Sequence, residues 1–279
     1  MKIKLGQTNS LKVVKSVDFG VYLDGGEAGE ILLPARYVPK GCKPGDELDV
    51  FVYLDNEERL IATTEMPLAQ VGDFACLRVA WTNKFGAFLH WGPMKDLFVP
   101  FREQKMRMQL DRFYIVHVHI DEETYRIVAS AKVEKYLSEE KPPYAPDDEV
   151  EGLVWQKTDL GFKVIVDNRF AGLLYDTEIF TSLRTGDKRR MFVRQVRPDG
   201  KIDLALKPRG QAAVEDFSDV LLHHLQTNAG STPLCDKSPA EEIYSVFGVS
   251  KKVFKKAVGD LYKKRLIELS DAGLKLIEK

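Results

Sequence analysis

The chain of 279 residues is 44% apolar and 30% charged, and its 41 basic and 42 acidic residues leave a formal net charge of −1. This composition is typical of a globular protein with room for several small domains, and it excludes a polycation that binds nucleic acid along its whole length. No apolar run approaches the roughly 20 residues that cross a bilayer, the N-terminus lacks an apolar signal core, and three distant cysteines do not make a disulfide framework. We therefore expect a soluble, cytoplasmic protein without a membrane partner.

Three segments in the first three quarters of the chain repeat one local pattern. They read FGVYL, FGAFL and LGFKV, with the glycine at Gly20, Gly86 and Gly161. Each leads into a short apolar strand (EILLP, DLFVP or AGLLY) and ends in two alternating strands joined by a charged turn, which is the pattern of a β-hairpin. Five short strands in about 65 to 70 residues, with one long connection before the fourth, predict a small Greek-key barrel. The glycine would permit a sharp bend or a bulge in such a barrel.

Charge and composition suggest where these units begin and end. We expect the first barrel at residues 1–66, the second at 67–137 and the third at 150–211. The intervening segment 138–149, SEEKPPYAPDDE, is acidic and contains three prolines, which indicates an extended linker. The third barrel holds 12 basic and 8 acidic residues. Its basic cluster comprises Lys188, Arg189, Arg190, Arg194, Arg197, Lys201, Lys207 and Arg209.

Residues 212–279 change to helical spacing and predict a winged-helix domain. A first helix is expected over 212–226, and a capping box from Ser238 to Glu241 predicts a second helix to about Phe247. Ser250 caps a third helix, KKVFKKAVGDLYKKR, and the tail LIELSDAGLKLIEK forms a hairpin. The third helix stands in the position of a recognition helix. Its possible nucleic-acid contacts are Lys252, Lys255, Lys256 and Lys263. The alternative for this helix is a structural or protein-contact role, because the domain carries as many acids as bases.

The barrel pattern resembles the RNA-binding barrel first described in ribosomal protein S1, an OB-fold. With three such barrels and a helical module after them, the chain as a whole resembles the bacterial conserved virulence factor B family. The resemblance implies a mainly β fold of three tandem S1-type OB-fold barrels followed by a winged-helix domain. It also implies RNA binding and a role in gene regulation, at the level of transcripts or of translation.

In the resembled family, the binding face combines two aromatic residues around the glycine, a histidine on the next strand, and an Asp and an Arg near the last hairpin. In the first two barrels, the histidine position is occupied by Leu33 and Val99, and the Asp position by Asp55 and Asp121. In the third barrel, the first aromatic residue is replaced by Leu160. Position by position, the resemblance gives these candidate RNA-binding residues: Phe19, Tyr22 and Arg59 in the first barrel; Phe85, Phe88 and Arg126 in the second; and Lys163, Tyr175, Arg197 and Lys201 in the third. Three more candidates in the third barrel are Phe162, which lies between the two aromatic positions, and Arg190 and Arg194, which belong to the basic cluster beside the expected hairpin.

These observations favour a protein that binds single-stranded RNA by stacking bases on aromatic side chains while basic residues meet the backbone. We rank the third barrel first, since counterion release by its basic cluster is the larger contribution, the second barrel next and the first last. Two alternatives stay open: a scaffold that docks on the ribosome or another protein, and a DNA-binding regulator that acts through the winged helix.

The sequence contains none of the motifs GxxxxGK(S/T), GxSxG and HExxH, so we expect neither catalytic residues nor a cofactor. His117 and His119 lie two apart on a strand but lack a third ligand at suitable spacing, so we expect no metal site. The oligomeric state is left open by the sequence.

Overall fold

The strands of the first three quarters of the chain close into three barrels of five strands each, in a computed structural model that describes residues 2–179, 182–208, 211–228, 230–270 and 273–277. The first barrel contains β1 (Thr8–Val17), β2 (Gly20–Asp24), β3 (Glu30–Pro34), β4 (Glu47–Leu54) and β5 (Leu60–Thr63). The second contains β6 (Phe74–Thr82), β7 (Gly86–His90), β8 (Leu97–Pro100), β9 (Phe113–Ile120) and β10 (Ile127–Ser130). The third contains β11 (Glu149–Thr158), β12 (Gly161–Val166), β13 (Phe170–Tyr175), β14 (Lys188–Val196) and β15 (Ile202–Ala205).

All three barrels have the same topology. In each, the first three strands form an antiparallel meander, the third strand pairs in parallel with the fifth, and the fourth strand lies between the fifth and the first. Alternate residues point into the barrel, as the period of two along a strand requires. The predicted fold class is confirmed, whereas the domain boundaries at 66, 137 and 211 stay predictions.

The repeated glycine begins the second strand of each barrel, at a place where the next strand comes unusually close. A Cβ on Gly20, Gly86 or Gly161 would lie 2.2, 2.3 or 2.1 Å from a carbonyl oxygen of the third strand. The bulges lie elsewhere, in the first strand of each barrel, at the residues that the register skips: Val14, Ala80 and Trp155. The glycine therefore serves close approach of two backbones; of the two expected roles, a bend or a bulge, the bulge lies at other residues.

The first barrel has a hydrophobic core of its own, and one further buried cluster joins it to the second barrel. Phe51 and Tyr53 from β4 pack in the same buried cluster as Trp91 and Leu97 of the second barrel. The rings of Phe51 and Trp91 meet edge to face with centroids 5.4 Å apart. Trp91 also donates its indole N–H to the carbonyl of Lys95 at 2.7 Å. Because these contacts are buried and apolar, they hold the two barrels in a fixed relation to each other.

The third barrel meets the second through a smaller contact. The amide oxygen of Asn168 accepts the N–H of Phe74 at 2.7 Å, and Trp155 and Ile165 pack in one buried cluster with Phe74. The acidic segment predicted as a linker has no helix or strand from residue 138 to residue 148. Its beginning is held by a hydrogen bond from the N–H of Ser138 to the carbonyl of Arg169, 2.8 Å long.

The C-terminal domain has the order of elements expected of a winged helix. It contains α1 (Gln211–Thr227), β16 (Ser231–Thr232), α2 (Ala240–Phe247), α3 (Lys251–Lys263), β17 (Ile267–Ser270) and β18 (Gly273–Leu276). The sequence did not predict β16, which adds a third strand beside β18. Residues 271 and 272, in the predicted turn of the hairpin, lie outside the described residues. No helix in the described ranges is long and apolar enough to cross a membrane.

One helix cap is as predicted and the other is not. The hydroxyl of Ser250 accepts the N–H of Val253 at 3.4 Å and caps α3. The capping box at Ser238 was wrong, because the N-cap of α2 is Pro239 and makes no side-chain cap. The Ser238 hydroxyl instead accepts the N–H of Cys235 at 3.0 Å in the preceding turn.

Candidate nucleic-acid interface

A cleft of about 960 Å³ opens on the second barrel beside the β4–β5 hairpin of the first. Its lining combines aromatic rings with side chains of both charges. The rings are Tyr53, Trp81, Phe85, Phe88, Trp91 and Phe98; the cations are Lys95, Arg102 and Arg126; the acids are Glu58, Asp96 and Asp121. Flat apolar surfaces next to guanidinium groups are the combination that single-stranded nucleic acids bind.

Three neighbouring strands each contribute one ring to a continuous stack. Trp81 on β6 pairs in register with Phe88 on β7, which pairs with Phe98 on β8. The Trp81 and Phe88 rings are parallel, with centroids 3.6 Å apart and an interplanar angle of 4°. The Phe88 and Phe98 centroids are 4.9 Å apart. We call Trp81, Phe88 and Phe98 the ring stack. Cross-strand pairing places each ring of the stack against the next.

A β-bulge explains why Trp81 is on the surface. Leu77 and Val79 of β6 are buried, so strict alternation would send Trp81 into the core as well. The extra residue at Ala80 shifts the register and turns the indole to the outer face, where its side chain is 44% exposed. The indole N–H donates to Asp96 at 2.9 Å, which fixes the plane of the ring.

The predicted aromatic pair of the second barrel lies in this cleft. Phe85 is 61% exposed, with the ammonium of Lys84 5.1 Å from its ring centroid, and Phe88 is the middle ring of the stack. Sequence reasoning missed Trp81 and Phe98. The signal for Phe98 was available, because Leu97 and Val99 on either side of it are apolar and point inward.

Each cation of the cleft has a partner in the free protein. Arg102 donates to Asp121 at 2.5 Å, and Arg126 forms an ion pair with Glu58 of the first barrel. The ammonium of Lys95 donates to the carbonyl of Asp55 at 2.6 Å, and burial lowers its pKa. The resemblance placed Asp121 and Arg126 near the last hairpin of the second barrel, and there the N–H of Asp121 donates to the carbonyl of Arg126 at 2.9 Å, while the Asp121 carboxylate binds Arg102.

Asp121 is fixed by its own turn as well as by Arg102. Its carboxylate accepts the backbone N–H and the hydroxyl of Thr124 at 2.9 and 3.0 Å. The N–H of Thr124 holds the pKa of Asp121 below its usual value, with Arg102 adding to the effect. This carboxylate is therefore a structural part of the hairpin between β9 and β10.

The first barrel also exposes its predicted aromatic pair, outside the lining of the cleft. Phe19 is 57% exposed and meets the half-buried Tyr22 edge to face, with centroids 6.3 Å apart. The ammonium of Lys15 lies 4.8 Å from the Tyr22 ring centroid and is ion-paired with Glu30. Arg59 is exposed but bound to Asp55 and Glu57 at 2.8 and 2.9 Å. Phe19 and Tyr22 thus form a smaller stacking surface than the ring stack.

The basic cluster of the third barrel lies against acids. Arg197 donates to Asp203 at 2.5 Å and also to the hydroxyl of Tyr175. Arg194 is only 19% exposed, with Asp147 at 3.8 Å. Three more ion pairs involve exposed members of the cluster: Lys188 with Glu151, Arg189 with Asp187, and Lys201 with Asp199. Arg190 is exposed and also engaged, and Arg209 lies outside the described residues. These pairs remove the reason for ranking the third barrel first.

Two further candidates of the third barrel, Lys163 and Phe162, are each engaged in a cation–π contact. The ammonium of Lys163 lies 5.0 Å from the ring centroid of Trp155, and that of Lys157 lies 4.7 Å from the ring of Phe162. Lys163 therefore covers the contact between the second and third barrels. Leu160, at the position of Phe19 and Phe85, is exposed but has no ring for a base to stack on.

Strand pairing corrects one correspondence between the barrels. Gly161 pairs with Tyr175, just as Gly20 pairs with Pro34 and Gly86 with Pro100. Pro34, Pro100 and Tyr175 are therefore equivalent, whereas the assignment from sequence had set Leu33 and Val99 beside Tyr175. Both Leu33 and Val99 are fully buried core residues, as is their true counterpart Leu174.

The lysines of α3 stand on its outer face. The buried side of the helix is formed by Phe254, Ala257, Val258 and Leu261. Lys252, Lys255, Lys256 and Lys263 are exposed. Whether they contact nucleic acid stays a prediction.

The two strand histidines are part of a packed aromatic group. The His117 ring stacks on Tyr136, with centroids 4.0 Å apart, and lies tilted against Phe74, with centroids 4.7 Å apart. Burial lowers the pKa of His117 to about 4, so its ring is neutral at physiological pH. Nε2 of His119 lies 3.2 Å from the hydroxyl of Tyr136. Within the described residues, no group of three His, Cys, Asp or Glu side chains could hold a metal ion.

Comparison with known proteins gives matches at both ends of the chain. Residues 5–65 match the S1 domain family, and residues 219–276 match the CvfB-like winged helix domain family. The uncharacterized protein YitL of Bacillus subtilis is 29% identical over 267 residues, which cover 92% of this chain and 89% of that protein. Conserved virulence factor B of Staphylococcus aureus is 23% identical over 242 residues, which cover 84% and 81%. A crystal structure of a multidomain protein with nucleic acid binding domains from Streptococcus pneumoniae aligns over 98% of both chains, with 24% identity and a TM-score of 0.42.

Proposed function

From its S1 domain, its CvfB-like winged helix domain and its similarity to conserved virulence factor B, we propose a function for this chain. It binds single-stranded RNA in the cleft of its second barrel. Neither matched family is described as an enzyme, and the S1 domain supports a role in nucleic-acid binding. The observation that carries the proposal is the ring stack beside Arg102 and Arg126.

The geometry favours single strands over duplexes. A base can lie on the Trp81 indole or on Phe85 only when its own face is free, and in a duplex both faces are covered by neighbouring base pairs. Stacking of one base on an aromatic side chain contributes about 1–3 kcal/mol and tolerates any base. Arg102 and Arg126 stand next to these rings and supply donors for backbone phosphates.

The ranking of the barrels follows from these contacts. The second barrel comes first, because it combines four exposed or partly exposed rings with guanidinium groups. The first barrel comes next with Phe19 and Tyr22. The third comes last, because Leu160 stands where the other barrels have Phe19 and Phe85, and the ammonium of Lys157 already lies over the ring of Phe162. Linked weak sites raise the effective concentration of one another along a flexible strand, so the first barrel adds to the affinity of the second. A post-transcriptional or translational regulatory role for this binding rests on the resemblance to the conserved virulence factor B family.

Fluorescence anisotropy on the full chain tests the proposal. The probes are labelled oligouridine and oligoadenine strands of about 12 nucleotides, long enough to span more than one barrel, and an RNA duplex of equal length. We expect both single strands to bind, the duplex to bind more weakly, and the affinity to fall as salt rises from about 50 to about 200 mM. Equal affinity for the duplex, or no binding to either strand at low salt, would contradict the proposal.

The pairing of every cleft cation with an acid or a carbonyl favours one other function, a scaffold that docks on a protein. Such a scaffold would bind neither oligonucleotide at low salt. The same titration therefore separates the two functions. A duplex DNA probe added to the series tests the third reading, in which the exposed lysines of α3 contact DNA.

A further inference from the structure

The β4–β5 hairpin of the first barrel reaches the cleft and places a carboxylate on one of its cations. Glu58, at the tip of this hairpin with φ of +64°, accepts a hydrogen bond from Nη2 of Arg126 in the second barrel. The same turn is held by Lys95, whose ammonium donates to the carbonyl of Asp55. The cleft therefore has a wall from each barrel, and an ion pair joins the two walls.

Arg126 stands close to the end of the ring stack. It comes two residues before Val128, and Val128 pairs in parallel with Phe98, the last ring of the stack. Arg126 and the rings line the same cleft. A strand whose base lies on these rings thus brings a phosphodiester near the guanidinium of Arg126, where Glu58 now sits.

Glu58 is the carboxylate of the cleft that is easiest to displace. Asp121 is 11% exposed and bound to Thr124 as well as to Arg102, and Asp96 fixes the indole of Trp81. Glu58 and Arg126 are instead 50% and 54% exposed. An ion pair as exposed as this one contributes little, whereas a phosphate offers the same guanidinium charge-assisted bonds.

We propose that Glu58 is a competing carboxylate that occupies a phosphodiester site at Arg126 and is exchanged for the RNA backbone on binding. This inference rests on the proposed function and deepens it. In the free protein, Glu58 neutralises Arg126 and keeps the cleft from binding any polyanion by charge alone. Release of Glu58 needs a ligand that supplies a base for the rings and a phosphate for Arg126 together, so the exchange selects unpaired RNA over duplexes.

Glu58→Gln is the direct test in the oligouridine anisotropy assay with the full chain. The variant keeps the size of the side chain but frees Arg126 for a phosphate. We expect the affinity to rise about three- to fivefold at low salt, the scale set by one half-exposed ion pair. We also expect the slope of log affinity against log salt to be steeper in the variant, by up to about 0.7. In the wild type, the Glu58 carboxylate released on binding takes up a cation and so offsets part of the counterion release, whereas the variant has no carboxylate at this position.

Glu57→Gln is the matched control. It removes the same charge from the same turn, but Glu57 pairs with Arg59 at 2.9 Å rather than with Arg126, and Arg59 keeps its bond to Asp55. We expect this control to change the affinity by less than about 1.5-fold, as for an exposed charge outside the contact. In an Arg126→Gln background, Glu58→Gln should have no further effect.

The inference is overturned if both glutamate variants shift the affinity equally, or if the gain from Glu58→Gln persists without Arg126. The proposed function stands by itself if Trp81→Ala weakens binding while Glu58→Gln behaves like Glu57→Gln. If the wild-type chain binds neither single strand, the function and the inference both fall.

Discussion

Replacement of Trp81 by alanine is the sharpest test of the ring stack. One face of the indole lies 3.6 Å from Phe88, and the side chain remains 44% exposed, so the other face is available to a base. Loss of one stacked base costs about 1–3 kcal/mol, which corresponds to an affinity about 5- to 150-fold weaker. We expect the loss at every salt concentration, because stacking involves no release of counterions.

The variant should still fold. The indole is on the outer face of the barrel, and its loss removes one aromatic contact, worth about 0.5–1.5 kcal/mol, and a bond to Asp96. Thermal unfolding monitored by circular dichroism checks this, while anisotropy with labelled oligouridine measures the affinity.

Phe113→Ala is the matched control. Phe113 begins β9, pairs with Arg78 of β6 and is 63% exposed, so it is an exposed ring of the same barrel outside the lining of the cleft. We expect its loss to change the affinity by less than about twofold, as for a ring that no base contacts. The reasoning is refuted if the two variants bind equally well.

Three more predictions concern the fold and the C-terminal domain. Gly86→Ala should destabilise the protein by about 2–4 kcal/mol, because the new Cβ would clash with the backbone of the next strand. Gly259→Ala should instead stabilise it by about 0.5–1 kcal/mol, because a Cβ at this position of α3 meets open space. Chemical denaturation measures both changes in the free energy of unfolding, and equal effects would contradict the close-approach argument. Because burial lowers the pKa of His117 from 6.5 to about 4, stability should fall as pH drops through that range, by up to about 3 kcal/mol. Denaturation at both ends of the range should show a smaller loss in His117→Phe, in which only His119, whose pKa burial also lowers, still takes up a proton from this pair. Joint substitution of Lys252 and Lys255 by alanine should change the affinity for oligouridine by less than about twofold, because stacking in the cleft of the second barrel dominates binding. A tenfold loss would show that α3 contacts the RNA.

The fold could be predicted from the sequence because its signals are local. Alternation within each strand, a glycine at the same place in three repeats, and a change to helical spacing near residue 212 are all readable along the chain. Phe85 and Phe88 followed from the repeated motif. Trp81 did not, because strict alternation from Leu77 and Val79 assigns it to the core and only the bulge at Ala80 turns it outward.

The charges could not be predicted in the same way, because their effect depends on partners distant in sequence. The segment count made the third barrel the most basic, but Asp203 and Asp147 hold its arginines. In the cleft, Arg126 meets Glu58 from another barrel, 68 residues away. A count of cations along a sequence measures charge, whereas affinity for a polyanion depends on which cations can change partner.

The buried contact of Phe51 and Tyr53 with Trp91 limits where the chain can be cut into fragments. A cut between the first and second repeats would leave large rings on both fragments facing water, and freshly exposed patches of that kind promote aggregation. Fragments for mapping the RNA site should therefore keep the first 137 residues intact.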